Sequence, residues 1–390
     1  MANTLKFGSG QWATKVGSTL AYNDEGGNFK PLPFNFTRST GGTRVNKDGL
    51  IEMVTNNKPR IDYLNDSNGV LLLEPQRTNL LLRSEEFDNA SWVKLGQGTG
   101  SVPIVTPNYA ISPDGTQNAS RLQCDLNGGN TTSDRSWLYQ SITDVVVEST
   151  FSLYVKNISS ETIIFTLNNG SSGTVSVPAD SQWHRLYSVK TGGAQPRIGL
   201  IGGVGASDNA DLLIWGSQIE AGSYATSYIP TQGATATRVA ETCNQTPPSG
   251  IIGQTEGTLY WEVDFGINDT SEYPAIFLWD GSSNNRILIQ RRGNTSRLQY
   301  QIAVGGVLQF SGIGNTVVGS GVVKIAVAYK ENDFAVYLNG SQELISLIGI
   351  TYSGAINQFS FANTRHDKTN QIKLYNTRLS NAELQQLTTL

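Results

Sequence analysis

Leu259, Trp261, Val263 and Phe265 alternate with Tyr260, Glu262 and Asp264, and this period of two constrains the chain more than any other feature. Side chains two apart on a strand share a face, so such a run buries one row and wets the other. The pattern returns at Leu298, Tyr300, Ile302 and Val304, and again at Val323, Ile325, Val327 and Tyr329. Phe334, Val336 and Leu338 lead into Asn339-Gly340, a pair suited to a tight hairpin. Residues 251–390 therefore read as an antiparallel sandwich. Residues 93–246 read as a second one of jelly-roll type, with inward rows expected at Phe151, Leu153 and Val155, at Ile163, Phe165 and Leu167, at Trp183, Tyr187 and Val189, and at Leu213 and Trp215. Forty-one glycines in 390 residues, with frequent Ser, Thr and Asn between short apolar runs, make the turns such a fold needs. The fold class is all-β, closed by one short helix: Ser380 and Glu383 form a capping box, with Leu379 and Leu384 as its hydrophobic staple.

The net charge of −4 leaves no basic balance for a phosphate backbone, so nucleic acid is not an expected partner. Two cysteines far apart, Cys124 and Cys243, imply neither a zinc site nor a disulfide framework and read as reduced thiols. MANTLKFGSG lacks the apolar core of a secretory signal, which points to synthesis in a host cytoplasm.

GVLLLEPQRTNLLLR, residues 69–83, poses the main puzzle before the sandwiches. Its apolar triplets are too short and too interrupted to span a bilayer, so membrane insertion is not expected and protein must cover them. Residues 36–92 mix turn signals with short apolar runs and read as a linking segment, its triplets covered by neighbouring subunits or by the adjoining sandwich. The oligomer contacts expected there are Val70, Leu71, Leu72, Leu73, Leu80, Leu81 and Leu82. Residues 1–35 carry Leu5, Phe7, Trp12, Leu20 and Tyr22, aromatics and aliphatics that so short a piece can hardly bury alone. Either they form a strand pair on their own domain or they anchor to another chain; the reading adopted is the anchor.

TRVNKDGLIE, PRIDY and GVLLLEPQRTNLLLRSEEFDNASW together resemble a segment recurrent in tailed-phage virion proteins, notably fibre and appendage proteins of phages of Bacteroidetes, including the crAss-like group. LLIWGSQIEAGSYATSYIPTQGATATRVAE resembles the end of a carbohydrate-binding-module-like domain in such proteins. GTLYWEVDF, FAVYLNG and IKLYNTRLSNAELQQL resemble the concanavalin-A-like, laminin-G-type sandwich. The resemblance implies a structural virion protein, a head fibre or similar appendage, with a tail fibre or receptor-binding protein close behind. It also implies location on the particle surface, association as a homotrimer, attachment to other virion proteins through residues 1–35, and adhesion to host glycans.

Glu262 and Asp264 share a strand face about 7 Å apart, a spacing compatible with acid/base work on a glycosidic bond. The resemblance to sandwich glycosidases would require a second glutamate just beyond, where Phe265, Gly266 and Ile267 stand instead. No enzyme is expected, and a depolymerase or an accessory module of a hydrolase is the alternative. His184 and His366 are too isolated to build a triad. No cofactor or metal is expected, although Asn268-Asp269 and Asp280 with Asn284 offer oxygens for a rim ion. For glycan contact the best stretch is FLWDGSSNNRILIQRR, where Trp279 offers a stacking platform beside Asp280, Asn284 and Arg286.

Overall fold

The computed structural model describes residues 35–390 except 143–147, 170–172, 191–194, 247–249, 267–272, 347–355 and 362–366, and the backbone strands Thr4–Gly8, Thr14–Lys15, Thr19–Asn23 and Phe29–Pro33. Two compact units emerge, and both draw on more of the chain than the spans 93–246 and 251–390. The first comprises 1–47, 53–76 and 239–390, and the second 48–52 and 77–238.

Among the described residues the first unit holds two antiparallel layers. One is a seven-stranded sheet in the order Val307–Val317, Arg297–Val304, Arg286–Arg292, Ala275–Trp279, Gln358–Phe361, Thr242–Gln245, Asn35–Thr37. The other centres on Glu256–Asp264, flanked by Val322–Lys330 and Asp367–Tyr375. Leu259, Trp261, Val263 and Phe265 are all buried in one core with Ile276, Leu278, Tyr300, Ile302, Ile325 and Val327, as the alternation requires. Asn339 and Gly340 both take positive φ, 48° and 78°, so this hairpin needs the two residue types that tolerate them. The helix Asn381–Thr388 starts in the expected capping box. Leu384 lies on the sheet's other face among Tyr260, Ala326, Ala328, Ala335 and Tyr337, where three alanines make room for it.

The second unit is a sandwich of two five-stranded antiparallel sheets. The first runs Val93–Gln97, Arg135–Tyr139, Pro196–Ile201, Ile163–Asn169, Thr174–Val177. The second runs Ile104–Ala110, Ala119–Asp125, Asn209–Ala221, Ser149–Asn157, Trp183–Lys190. Phe151, Leu153, Val155, Phe165 and Leu167 fill its core. The row Trp183, Tyr187 and Val189 does not turn inward: Tyr187 is 59% and Val189 40% exposed, because this is an edge strand that offers Leu186 to the core instead. Leu213 and Trp215 are buried on the sheet's opposite face, where Trp215 packs with Tyr154 and Tyr228.

The chain's own fold covers most of the apolar triplets. Val70–Leu73 is a buried strand hydrogen-bonded in register with Asp367–Thr369, and Leu81 is buried in the second unit's core. Leu80 is half-buried, and Leu82 alone of the seven is exposed. Thr4–Gly8 pairs with Asp367–Tyr375, setting Leu5 opposite Leu374 and Phe7 opposite Ile372, while Leu20 and Tyr22 lie in Thr19–Asn23. The backbone of the expected anchor thus joins its own chain's sheet; Trp12 lies outside the described residues. Cys124 and Cys243 are free and buried, and burial pushes the Cys124 thiol up to about 12.

Residues 36–47 and 53–76 hold to the first unit through charges as well as apolar contacts. Glu241 accepts from Arg38 Nη1 at 2.7 Å and from Arg60 Nε and Nη2 at 2.7 and 2.6 Å, while Arg60 Nη1 reaches Glu74 at 2.8 Å. All four side chains are at most 2% exposed. Burial alone would lower the Arg60 pKa, but Glu241 and Glu74 outweigh it and hold it above its ordinary value. Removing one partner leaves buried charge uncompensated, at a cost of roughly 3–5 kcal/mol. Glu241→Ala should therefore destabilise the protein by about that much in urea unfolding. Glu86→Ala, which breaks the surface pair with Arg83, should cost under about 1 kcal/mol.

Candidate functional site

The outward face of the seven-stranded sheet carries two of the residues singled out for glycan contact, Trp279 and Arg286. Ile276 and Leu278 point to the core, so their neighbours Phe277 and Trp279 point out. Their rings lie 5.5 Å apart, tilted 31° to one another, and both are half-buried. Strand register then places planar hydrogen-bonding groups beside them: Ser360, Phe277, Leu288, Gln301 and Ser311 form one row, and Gln358, Trp279, Arg286 and Ala303 the next. Trp279 Nε1 donates to Ser360 Oγ at 2.8 Å, which fixes the indole on the sheet. Arg286 donates through Nη1 to the Ser283 carbonyl and through Nη2 to Gln301 Oε1, at 2.9 and 3.0 Å. An aromatic surface held rigid beside amides and hydroxyls suits a sugar ring, whose apolar face stacks while its hydroxyls find partners.

Asp280 and Asn284 belong to the turn beside this face. The Asp280 carboxylate accepts from Ser282 N and Oγ at 2.8 and 2.7 Å and from Asn285 Nδ2 at 2.7 Å, so it organises the turn. Asn284 is exposed, and its carbonyl accepts from Gly306 N. Sequence reasoning missed Phe277, Gln301, Ser360 and Gln358; the alternation of AIFLW could have shown that Phe277 shares Trp279's face.

None of the seven strands contains Asp or Glu, so the strands themselves supply no carboxylate pair for glycoside hydrolysis. Glu262 and Asp264 lie in the other sheet. Glu262 accepts from Tyr260 OH at 2.7 Å, and Asp264 from Gly266 N and Gly321 N at 2.7 and 3.0 Å. His184 bonds Asp180 at 2.9 Å, and His366, Asn268 and Asp269 lie outside the described residues. Among the described residues no three His, Cys, Asp or Glu side chains gather as a metal site.

A groove lies beside the C-terminal helix, lined by Glu256, Lys330, Asp333, Arg378 and Glu383. Lys330 pairs with Glu256 at 3.3 Å and Arg378 with Asp333 at 2.8 Å, while Glu383 is engaged with Ser380 in the capping box.

No family model matches the sequence, and no curated protein matches it significantly. Solved structures give slight likenesses. The CBM40 of the Ruminococcus gnavus IT-sialidase, solved with α2,3-sialyllactose, is 12% identical with a TM-score of 0.30 over 35% of this chain and 84% of that one. Domain 4 of AbnA, a GH43 extracellular arabinanase from Geobacillus stearothermophilus, is 12% identical with a TM-score of 0.32 over 43% and 84%. The receptor-binding domain of botulinum neurotoxin type G is 11% identical with a TM-score of 0.29 over 37% and 38%. Likenesses this slight carry nothing about ligand or partner to this chain.

Asn285 and Ser282 hold the Asp280 carboxyl below its ordinary value. A depressed carboxyl stabilises the turn at pH above its unfolded pKa and loses that effect as pH falls through its folded one. The Ser282 amide resonance should therefore titrate with a midpoint below the roughly 3.9 of free aspartate.

Proposed function

We propose that the chain is a non-enzymatic glycan-binding adhesion protein, with the Phe277–Trp279 face as its ligand surface. The observation that carries this reading is an aromatic pair fixed on an open sheet face among Gln301, Ser360, Gln358 and Arg286, with no carboxylate in the sheet's strands. Fully burying a large apolar side chain is worth roughly 1.5–3 kcal/mol, and a sugar stacked on the indole would bury much of its ring. Trp279→Ala should thus weaken binding to the best ligand on a glycan array at least tenfold and leave the fold intact by circular dichroism. Unchanged binding would sink the assignment, as would release of reducing ends from a bound polysaccharide by the wild-type protein.

The assembly we propose around this function is a tailed-phage appendage, a head fibre or alternatively a tail fibre, self-associating as a trimer. Its support is the resemblance of residues 36–92 to phage virion proteins. Attachment is proposed through residues 1–35, with Trp12 as a docking side chain. Burying a large side chain is worth roughly 1.5–3 kcal/mol, so Trp12→Ala should lower incorporation into particles by about tenfold or more. Quantitative mass spectrometry of purified virions reads this directly, and normal incorporation of the variant would exclude Trp12 from the anchor.

A further inference from the structure

The five strands from Val93–Gln97 to Thr174–Val177 in the second unit contain no Asp or Glu, yet they carry Lys94, Arg135 and Arg197. Leu138, Ile198 and Leu200 face the core, so Arg135, Trp137, Tyr139 and Arg197 share the outward face. Both guanidiniums lie over one ring: Arg135 is 5.0 Å and Arg197 4.8 Å from the Trp137 centroid. Register sets Leu95, Trp137, Gly199, Thr166 and Thr174 in a row across the sheet, with Tyr139 beside Arg197 in the next. A Cβ on Gly199 would lie 2.3 Å from the Ser136 carbonyl oxygen and 2.7 Å from Trp137 Cβ, so glycine is what lets the two strands approach here.

What sets this cluster apart is that, among the described residues, no carboxylate pairs with its guanidiniums. In the companion sheet Arg121 also covers an aromatic ring, that of Tyr109, and it is matched by Asp211 through two hydrogen bonds of 2.8 and 2.5 Å. Arg135 instead donates to the Thr132 carbonyl and Gln97 Oε1, and Arg197 to Gln195 Oε1. All these acceptors are neutral. Asp134 is adjacent in sequence, but its carboxylate accepts from Thr99 N and from Thr131 N and Oγ1. Among the described residues Trp137 Nε1 and Thr166 Oγ1 are also buried without a hydrogen-bond partner. Burial and the nearby Arg135 lower the Arg197 pKa, the direction expected of two cations without an anion.

We propose that the Arg135–Trp137–Arg197 face is a binding site for an acidic oligosaccharide. Guanidinium forks bind planar oxyanions in two parallel hydrogen bonds, and a half-buried Arg with one neutral acceptor has donors to spare. Tyr139, Gln97 and Thr174 flank the cations with the phenol, amide and hydroxyl groups that sugar hydroxyls pair with. The site is independent of the Phe277–Trp279 face.

Isothermal titration of the full chain with an oligogalacturonate, a sulfated galactan oligosaccharide and a neutral maltooligosaccharide tests it. At least one acidic ligand should bind ten times or more tighter than the neutral one, and that affinity should fall with added salt. Arg197→Gln should weaken it at least tenfold, and Arg197→Lys, which keeps charge but loses the fork, by less. Whichever acidic ligand binds names the oxyanion as carboxylate or sulfate. Should Arg197→Gln fail to fold, Arg197→Lys and Arg135→Gln carry the same comparison. Equal affinity for neutral and acidic ligands, no loss in folded variants, or tighter binding of single-stranded DNA than of either acidic glycan would each overturn the proposal.

Discussion

The buried network around Glu241 is the constraint on which the first unit depends. Residues 36–47 and 53–76 contain too few apolar side chains in register to make a core, and they gain their place by bringing Arg38, Arg60 and Glu74 to Glu241. Arg38 also donates to the carbonyls of Thr40, Val54, Thr55 and Lys58, and Arg60 to that of Thr43. One pair of guanidiniums thus also satisfies five backbone carbonyls. Two positive and two negative charges cancel, so burial becomes tolerable. Its stringency follows from the same low dielectric, because no member can leave without stranding another.

This explains what could be read from the sequence and what could not. Alternation marks strands wherever one face is apolar, so Leu259–Phe265 and Phe151–Val155 were plain. It fails where the second face is covered too. Asn209–Ala221 is buried on both sides because residues beyond it fold back: Gln218 and Glu220 bond Thr226, Ser227 and Ile229. It fails again at edges, where Tyr187 and Val189 keep the period but face solvent. The charges inside FNFTRST, PRIDY and LLLEP were legible as residues, but their meeting at Glu241 depends on contacts spanning up to 203 positions. Local pattern cannot hold that information.

The candidate glycan face was half legible for a related reason. Trp279 stands out by residue type, whereas Gln301 and Ser360 become its neighbours only through sheet register, which joins segments distant in sequence. Asp280 and Asn284 looked like ligand-binding groups because turns and binding loops favour the same residues. Hydrogen-bond geometry separates the two uses, since a carboxylate already holding three donors within its own turn has little left to offer a ligand.

Net charge misleads in a similar way. A chain at −4 excludes a broad basic surface, yet two of its sheets contain no carboxylate in any strand while carrying arginines on their outward faces. The acids lie in turns and in the companion sheets, where Asp211 matches Arg121 and Glu262 faces Lys324 across a strand pair. Charge is thus partitioned by sheet. The two arginine-bearing faces differ in how they treat their aromatics: Phe277 and Trp279 remain half open, while Trp137 is 3% exposed beneath its two guanidiniums. An open ring stacks on a sugar, and a covered one supports the cations above it. The two surfaces we propose therefore differ in preference, one for the apolar side of a sugar and one for its negative charge.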